Sequence, residues 1–138
     1  MDYYFAYGSN MNIKRMVDRG ITVYNIIPTK LENHELRFNK VSKKQGAVAN
    51  VMYNESSIVE GALYEINDIT LLDKYEGYPR HYIRTQMKFG DILAWVYTAQ
   101  EEHIQEGLIP KEEYLNHLLE GKSYLSDNYY KMLKNIRS

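Results

Sequence analysis

Tyr3-Tyr4-Phe5-Ala6-Tyr7-Gly8-Ser9-Asn10 is an apolar run that breaks abruptly into small polar residues. Residues 3–6 are apolar on both faces, which predicts a central, buried strand. Gly8 lets the backbone turn sharply and lets a ligand come close to it. Ser9 and Asn10 are residue types that cap helix starts, and residues 11–17 read as a short helix with Met11, Met16 and Val17 inward. Unpaired N–H groups at a helix start favour an anion. Strand, turn and helix start together outline a cradle for a carboxylate or phosphate, although many such corners bind nothing.

Further along, residues 22–29 and 34–39 are strand-like, the second alternating Leu36 and Phe38 with polar neighbours. Residues 47–53 and 58–66 continue the β pattern, and Asn54-Glu55-Ser56-Ser57 between them reads as a hairpin turn. A helix is predicted from a cap at Asn67 or Asp68 to about residue 75, stopped by Gly77 and Pro79. Residues 80–89 and 91–98 form a hairpin around Gly90, with His81, Ile83, Thr85 and Met87 facing one way. Two helices close the chain. Pro110 opens the first, with Glu112 and Glu113 in its first turn and Gly121 past its end. The second starts after Ser126 and aligns Tyr129, Met132, Leu133 and Ile136 on one stripe. Six or seven strands with helices between them predict an α+β domain. No linker, repeat or low-complexity tract divides it, so residues 1–138 read as one domain.

The 17 basic and 18 acidic residues give a net charge of −1, so no overall field favours nucleic acid or an anionic membrane. Lys40, Lys43 and Lys44 read as a solvated basic loop. Cysteine is absent, which excludes disulfides, a thiolate nucleophile and cysteine-bound metal, and fits a reducing, cytoplasmic setting. No apolar run approaches the ~20 residues of a membrane helix, and residues 1–3 lack a basic leader. His34, His81, His103 and His117 are scattered without metal-ligand spacing, and no phosphate-binding glycine motif exists, so neither metal nor cofactor is expected. Ser9 is not in a G-x-S-x-G context, which argues against a hydrolase nucleophile. The 14 tyrosines against 3 phenylalanines are unusual: buried hydroxyls need partners or a wet cavity, though compositional bias accounts for most of them.

Glu76 is the acid to watch. On a helix starting near Asp68 it shares a face with Leu72 and Ile69, the face that packs inward. It also lies at the helix C-terminus, where the macrodipole opposes a carboxylate. Burial and dipole both raise its pKa, which suits a general acid/base near neutrality. The competing reading is a frayed last turn with Glu76 in water or paired with Arg80 or Arg84.

Tyr4-Phe5-Ala6-Tyr7-Gly8-Ser9-Asn10, together with Leu71-Leu72-Asp73-Lys74-Tyr75-Glu76-Gly77-Tyr78-Pro79, resembles the γ-glutamylcyclotransferase-like (AIG2-like) superfamily across residues 3–136. The resemblance implies a small mixed β-barrel or strongly curled sheet flanked by short helices. It implies conversion of a γ-glutamyl amino acid or amine to 5-oxoproline without metal or cofactor, Glu76 being the catalytic acid/base. It further implies that Tyr4, Tyr7, Gly8, Ser9 and Asn10 bind substrate, the backbone N–H groups of Tyr7, Gly8, Ser9 and Asn10 meeting either the α-carboxylate or a developing oxyanion. Tyr114, in Pro110-Lys111-Glu112-Glu113-Tyr114, matches a family tyrosine that binds the glutamyl carboxylate; alternatively it joins Leu115, Leu118 and Leu119 as core. Tyr82 is a further candidate. Asn10 and the short length depart from the glutathione-specific branch. Residues 100–109 are expected to shape the pocket for the departing amine. The alternative function is a non-catalytic module that binds a small molecule or protein with the same cradle.

Overall fold

Strand β1 (Asp2–Ala6) occupies the middle of a five-stranded sheet in a computed structural model that describes residues 1–136. Its neighbours are β3 (Gly46–Ile66), antiparallel, and β5 (Ile92–Ala99), parallel; β2 (Val23–Ser42) and β4 (Tyr82–Phe89) lie outside them. Tyr4, Phe5 and Ala6 are all buried, so β1 is covered on both faces as its apolar run requires. The fold is α+β, and its sheet curls without closing, leaving β2 and β4 as edges.

Five strands replace the expected six or seven because two pairs are continuous. Residues 22–29 and 34–39 both lie in β2, and 47–53 and 58–66 both lie in β3. The predicted turn at 54–57 is a bulge within β3. Pairing passes from Glu32↔Ile58 to His34↔Tyr53, so residues 54–57 stand opposite Asn33 alone. Asn33 and Ser56 take positive φ (58° and 72°), and the Ser56 N–H donates to Asn33 Oδ1 at 3.2 Å. Such a bulge bends a strand without ending it. Beyond this bend the hairpin folds over the far end of the sheet: the Gln105 N–H donates to the Asn39 carbonyl and the Ala99 N–H to Asn50 Oδ1. The true hairpin turn is at residues 43–45. Lys43 and Lys44 are exposed there, but Lys40 is buried in β2, which corrects its reading as part of a solvated loop.

The chain after β1 also differs from expectation. Ser9–Met11 is a single 3-10 turn, and α1 (Ile13–Asp18) starts one residue later, capped by Asn12, whose Oδ1 accepts from the Lys14 N–H. Ser9 and Asn10 therefore do not cap the α-helix. The break resets the helical phase: Met11 and Met16 are buried, but Val17 is 65 % exposed. Helix α2 (Thr70–Glu76) buries Ile69 and Leu72 and ends at Gly77, whose φ of 65° closes it in a left-handed cap. Helices α3 (Glu112–Leu119) and α4 (Asp127–Lys134) pack on the core through Leu115 and Leu118 and through Tyr129 and Leu133, while Met132 remains exposed. The β4–β5 hairpin turns at Gly90 as predicted, with Ile83 and Thr85 outward and Tyr82 and Phe89 buried.

Among the described residues no helix is long and apolar enough to cross a membrane.

Candidate active site

Where β1 ends, the chain turns through Tyr7 and Gly8 into the 3-10 turn, and the end of α2 arrives beside it. Together with the distal part of the β2–β3 hairpin they enclose a cavity of about 280 Å³. Gly8 is needed for close approach: a Cβ there would lie 3.2 Å from Tyr114 Oη and 3.3 Å from Ala49 Cβ. No backbone carbonyl among the described residues accepts from the N–H groups of Gly8, Ser9 or Asn10. All three residues line the cavity.

Asn10 joins the corner to α2. Its side chain is 3 % exposed, with Nδ2 donating to Tyr4 Oη at 3.0 Å and lying 3.4 Å from Glu76 Oε1. Its Oδ1 accepts from Arg19 Nη1 at 3.0 Å, and its carbonyl accepts from Tyr64 Oη at 2.6 Å. Glu76 is half-buried and is the only acid among the residues that line the cavity. Burial raises its pKa above the ordinary carboxylate value, opposed by the positive charges of Arg19, Arg15 and Lys40. Burial wins because none of these cations makes an ion pair with it among the described residues.

Glu76 does not pair with Arg84, as one sequence reading had it. Arg84 instead forks onto Asp73, Nε to Oδ1 at 2.8 Å and Nη2 to Oδ2 at 3.0 Å, and Tyr97 Oη donates to the same carboxylate at 2.8 Å. Arg80 is exposed. Asp73 thus takes up the nearby guanidinium, and Glu76 points into the cavity.

The buried tyrosines form a lattice around this space, so hydroxyl partnering rather than bias alone explains several of them. Tyr7 Oη donates to the Tyr97 carbonyl at 2.6 Å, and Tyr82 Oη to the Ala49 carbonyl at 2.7 Å. Tyr114 Oη accepts from the Ala49 N–H at 2.9 Å. Tyr114 packs in the core and also lines the cavity, as does Tyr82. Burial pushes the Tyr114 hydroxyl up to about 12 and those of Tyr4, Tyr7 and Tyr82 well above their usual value, so all four stay protonated near neutrality.

Every residue singled out in the sequence, namely Tyr4, Tyr7, Gly8, Ser9, Asn10, Glu76, Tyr114 and Tyr82, lines this one cavity. Residues 100–109 do not; the wall expected from them is built by Ser42, Gln45, Val48 and Ala49 of the hairpin. Several charged and polar cavity residues, Arg15, Arg19, Lys40 and His81 among them, were not singled out from the sequence. Arg15 and Arg19 are four apart, on one side of the helical segment that follows the corner, a spacing that was available as a signal. Arg15 Nη1 approaches His117 Nε2 at 3.3 Å, and its Nε is buried without a partner among the described residues. Lys40, read from sequence as part of a solvated loop, lies in β2 just past a register irregularity between Arg37 and Lys40, which alternation from Leu36 and Phe38 does not capture. His81, remote from His103 in sequence terms, stacks on it at 4.1 Å and bonds to Lys40.

Residues 4–116 match the family model described as "Gamma-glutamyl cyclotransferase, AIG2-like". No curated protein matches the chain in sequence. Among solved structures, one titled "Gamma-glutamyl cyclotransferase" superposes with a TM-score of 0.85 at 21% identity, covering 99% of this chain and 88% of its own. An uncharacterized protein from Homo sapiens matches with a TM-score of 0.82 at 21% identity, over 99% and 88% of the two chains. YkqA from Bacillus subtilis matches at 0.80 and 23% identity, over 96% of this chain and 52% of its own. At such identities these likenesses establish the fold.

Proposed function

We propose that this chain, which belongs to the gamma-glutamyl cyclotransferase, AIG2-like family, closes the γ-glutamyl group of a small substrate into 5-oxoproline and releases the amine it carried. The observation that carries this reading is the convergence of the Glu76 carboxylate and the amide corner at residues 7–10 on one cavity, linked by the 3.4 Å Asn10 contact.

A γ-glutamyl substrate presents an α-ammonium, an α-carboxylate and a γ-amide. Glu76 takes a proton from the ammonium, and the freed amine attacks the γ-carbonyl of the same molecule. A carbon–nitrogen bond forms, the carbonyl electrons move to oxygen, and the old carbon–nitrogen bond then breaks. Two protons leave the attacking nitrogen and two arrive on the departing one, Glu76 serving as base and then acid. Its raised pKa brings it nearer to neutrality, where both roles are accessible.

The unused N–H groups of Gly8, Ser9 and Asn10 suit the anions of the glutamyl end, whether the α-carboxylate or the developing oxyanion. Holding a flexible chain in its cyclising conformer supplies a large share of the acceleration, and the tyrosine lattice keeps the walls that do this rigid.

The test is product identity. Incubated with γ-glutamyl-L-alanine, the protein is expected to yield 5-oxoproline and alanine in equal amounts by NMR. Glutamate in place of 5-oxoproline means hydrolysis and overturns the reading, as does the absence of any turnover.

A further inference from the structure

We infer that Lys40 is a specificity-determining residue that binds the carboxylate of the departing amino acid, so that γ-glutamyl-α-amino acids are taken in preference to γ-glutamyl amines of the same size. The inference rests on the reaction proposed above and deepens it.

Lys40 is 6 % exposed and lines the cavity from β2. Its Nζ donates to His81 Nδ1 at 3.0 Å and lies 5.5 Å from the centroid of the Tyr82 ring. Among the described residues no carboxylate lies within salt-bridge distance of it. A buried ammonium without a counter-charge is costly, and one that faces a cavity recovers that cost when an anion arrives. An ammonium has three donors, and His81 uses one.

Of the other cations that line the cavity, Lys74 is exposed on α2 with its Nζ 5.0 Å from the centroid of the Tyr75 ring, and the two arginines stand at the corner. Arg19 is bonded to Asn10 Oδ1 and stacks on Tyr75, while Arg15 is turned toward His117. They stand beside the 7–10 turn, where the glutamyl end is held. Lys40 comes from a different element and acts on the other participant. The departing nitrogen has to sit at Glu76 to receive its proton, and in an α-amino acid the carboxylate is attached to the very next carbon. Lys40 and Glu76 line the same cavity without forming an ion pair among the described residues, so the Lys40 ammonium is free to meet that carboxylate. A simple amine would place a methyl group there, and a diamine a second cation, which Lys40 repels.

The experiment compares γ-glutamyl-L-alanine with γ-glutamylethylamine, which differ only in that carboxylate. The expected kcat/KM of the wild type favours the alanine compound about thirtyfold, the size of one charge-assisted hydrogen bond. Lys40→Met is expected to bring the ratio to within a few-fold of unity, and Lys40→Arg to restore most of it. Equal wild-type rates for the two compounds, or a Lys40→Met variant that loses both in proportion, overturn the inference while leaving cyclisation intact. Release of 5-oxoproline from neither compound overturns both. Equal wild-type rates overturn the inference even if Lys40→Met does not fold, and Lys40→Gln then carries the test of the residue.

Discussion

At Glu76 two opposing forces act on one carboxylate: burial favours its protonated form, and Arg19, Arg15 and Lys40 favour its ionised form. The net direction is upward from 4.5, and two consequences follow. The first concerns rate. In the proposed reaction the carboxylate must be ionised to accept the ammonium proton, so kcat/KM is expected to fall with decreasing pH along an acid limb displaced above the usual carboxylate range. A limb at or below the ordinary value, in a pH profile of 5-oxoproline release, would contradict this. The second concerns stability. The folded state holds the Glu76 proton more tightly than the unfolded state does. Its contribution is therefore full below the unfolded pKa and lost as pH rises through the folded one. As pH rises above the unfolded pKa the folded protein increasingly bears the cost of keeping that proton or ionising in the cavity wall, which a neutral amide removes. Glu76→Gln is expected to melt at a higher temperature than wild type near neutrality, with the gain vanishing in acid. Equal or lower melting temperatures at neutral pH would mean that the three cations, not burial, dominate.

The last turn of α2 and the strand opposite it fix where that carboxylate points. Asp73, three residues before Glu76, receives Arg84 and the Tyr97 hydroxyl, and Gly77 ends the helix before Glu76 can fray into solvent. Asp73→Ala is expected to destabilise the fold by about 2 kcal/mol, because it strands a guanidinium that is only 13% exposed; chemical denaturation measures it. A loss within experimental scatter would mean that water replaces the pair. The periodicity of residues 69–76 was sufficient to place Glu76 on the inward face, since Ile69, Leu72 and Glu76 lie on one side of any helix there. It was insufficient to choose between Asp73 and Glu76 as the partner of Arg84, because that choice depends on how β4 aligns with α2. Local pattern likewise misled at residues 54–57. Asn, Glu and Ser favour turns, and only cross-strand pairing with β2 keeps them inside β3. At residues 9–12 three capping types, Ser9, Asn10 and Asn12, left the cap undetermined, and Asn12 took the role.

Across the molecule, the cavity exists because elements far apart in sequence meet. The corner of β1, the end of α2 and the bent arm of β2 and β3 each contribute one wall. All seven segments read as strands are strands, so the α+β class was legible from alternation and turn residues. The number of strands was not, because a bulge and a turn share the same residue types. Nor was the curl, which depends on the hairpin arm folding back over residues 99–105. For the same reason Lys40 was misread: its neighbours Lys43 and Lys44 in sequence are solvated, and only the folded arm buries it. The measurement that tests the central claim most directly is the rate of 5-oxoproline release from γ-glutamyl-L-alanine by wild type and by Glu76→Gln, with the variant's fold verified by its melting curve. A drop of roughly a hundredfold or more in kcat with the fold retained is expected, as for removal of a general acid/base. A folded Glu76→Gln variant turning over at the wild-type rate would contradict the account.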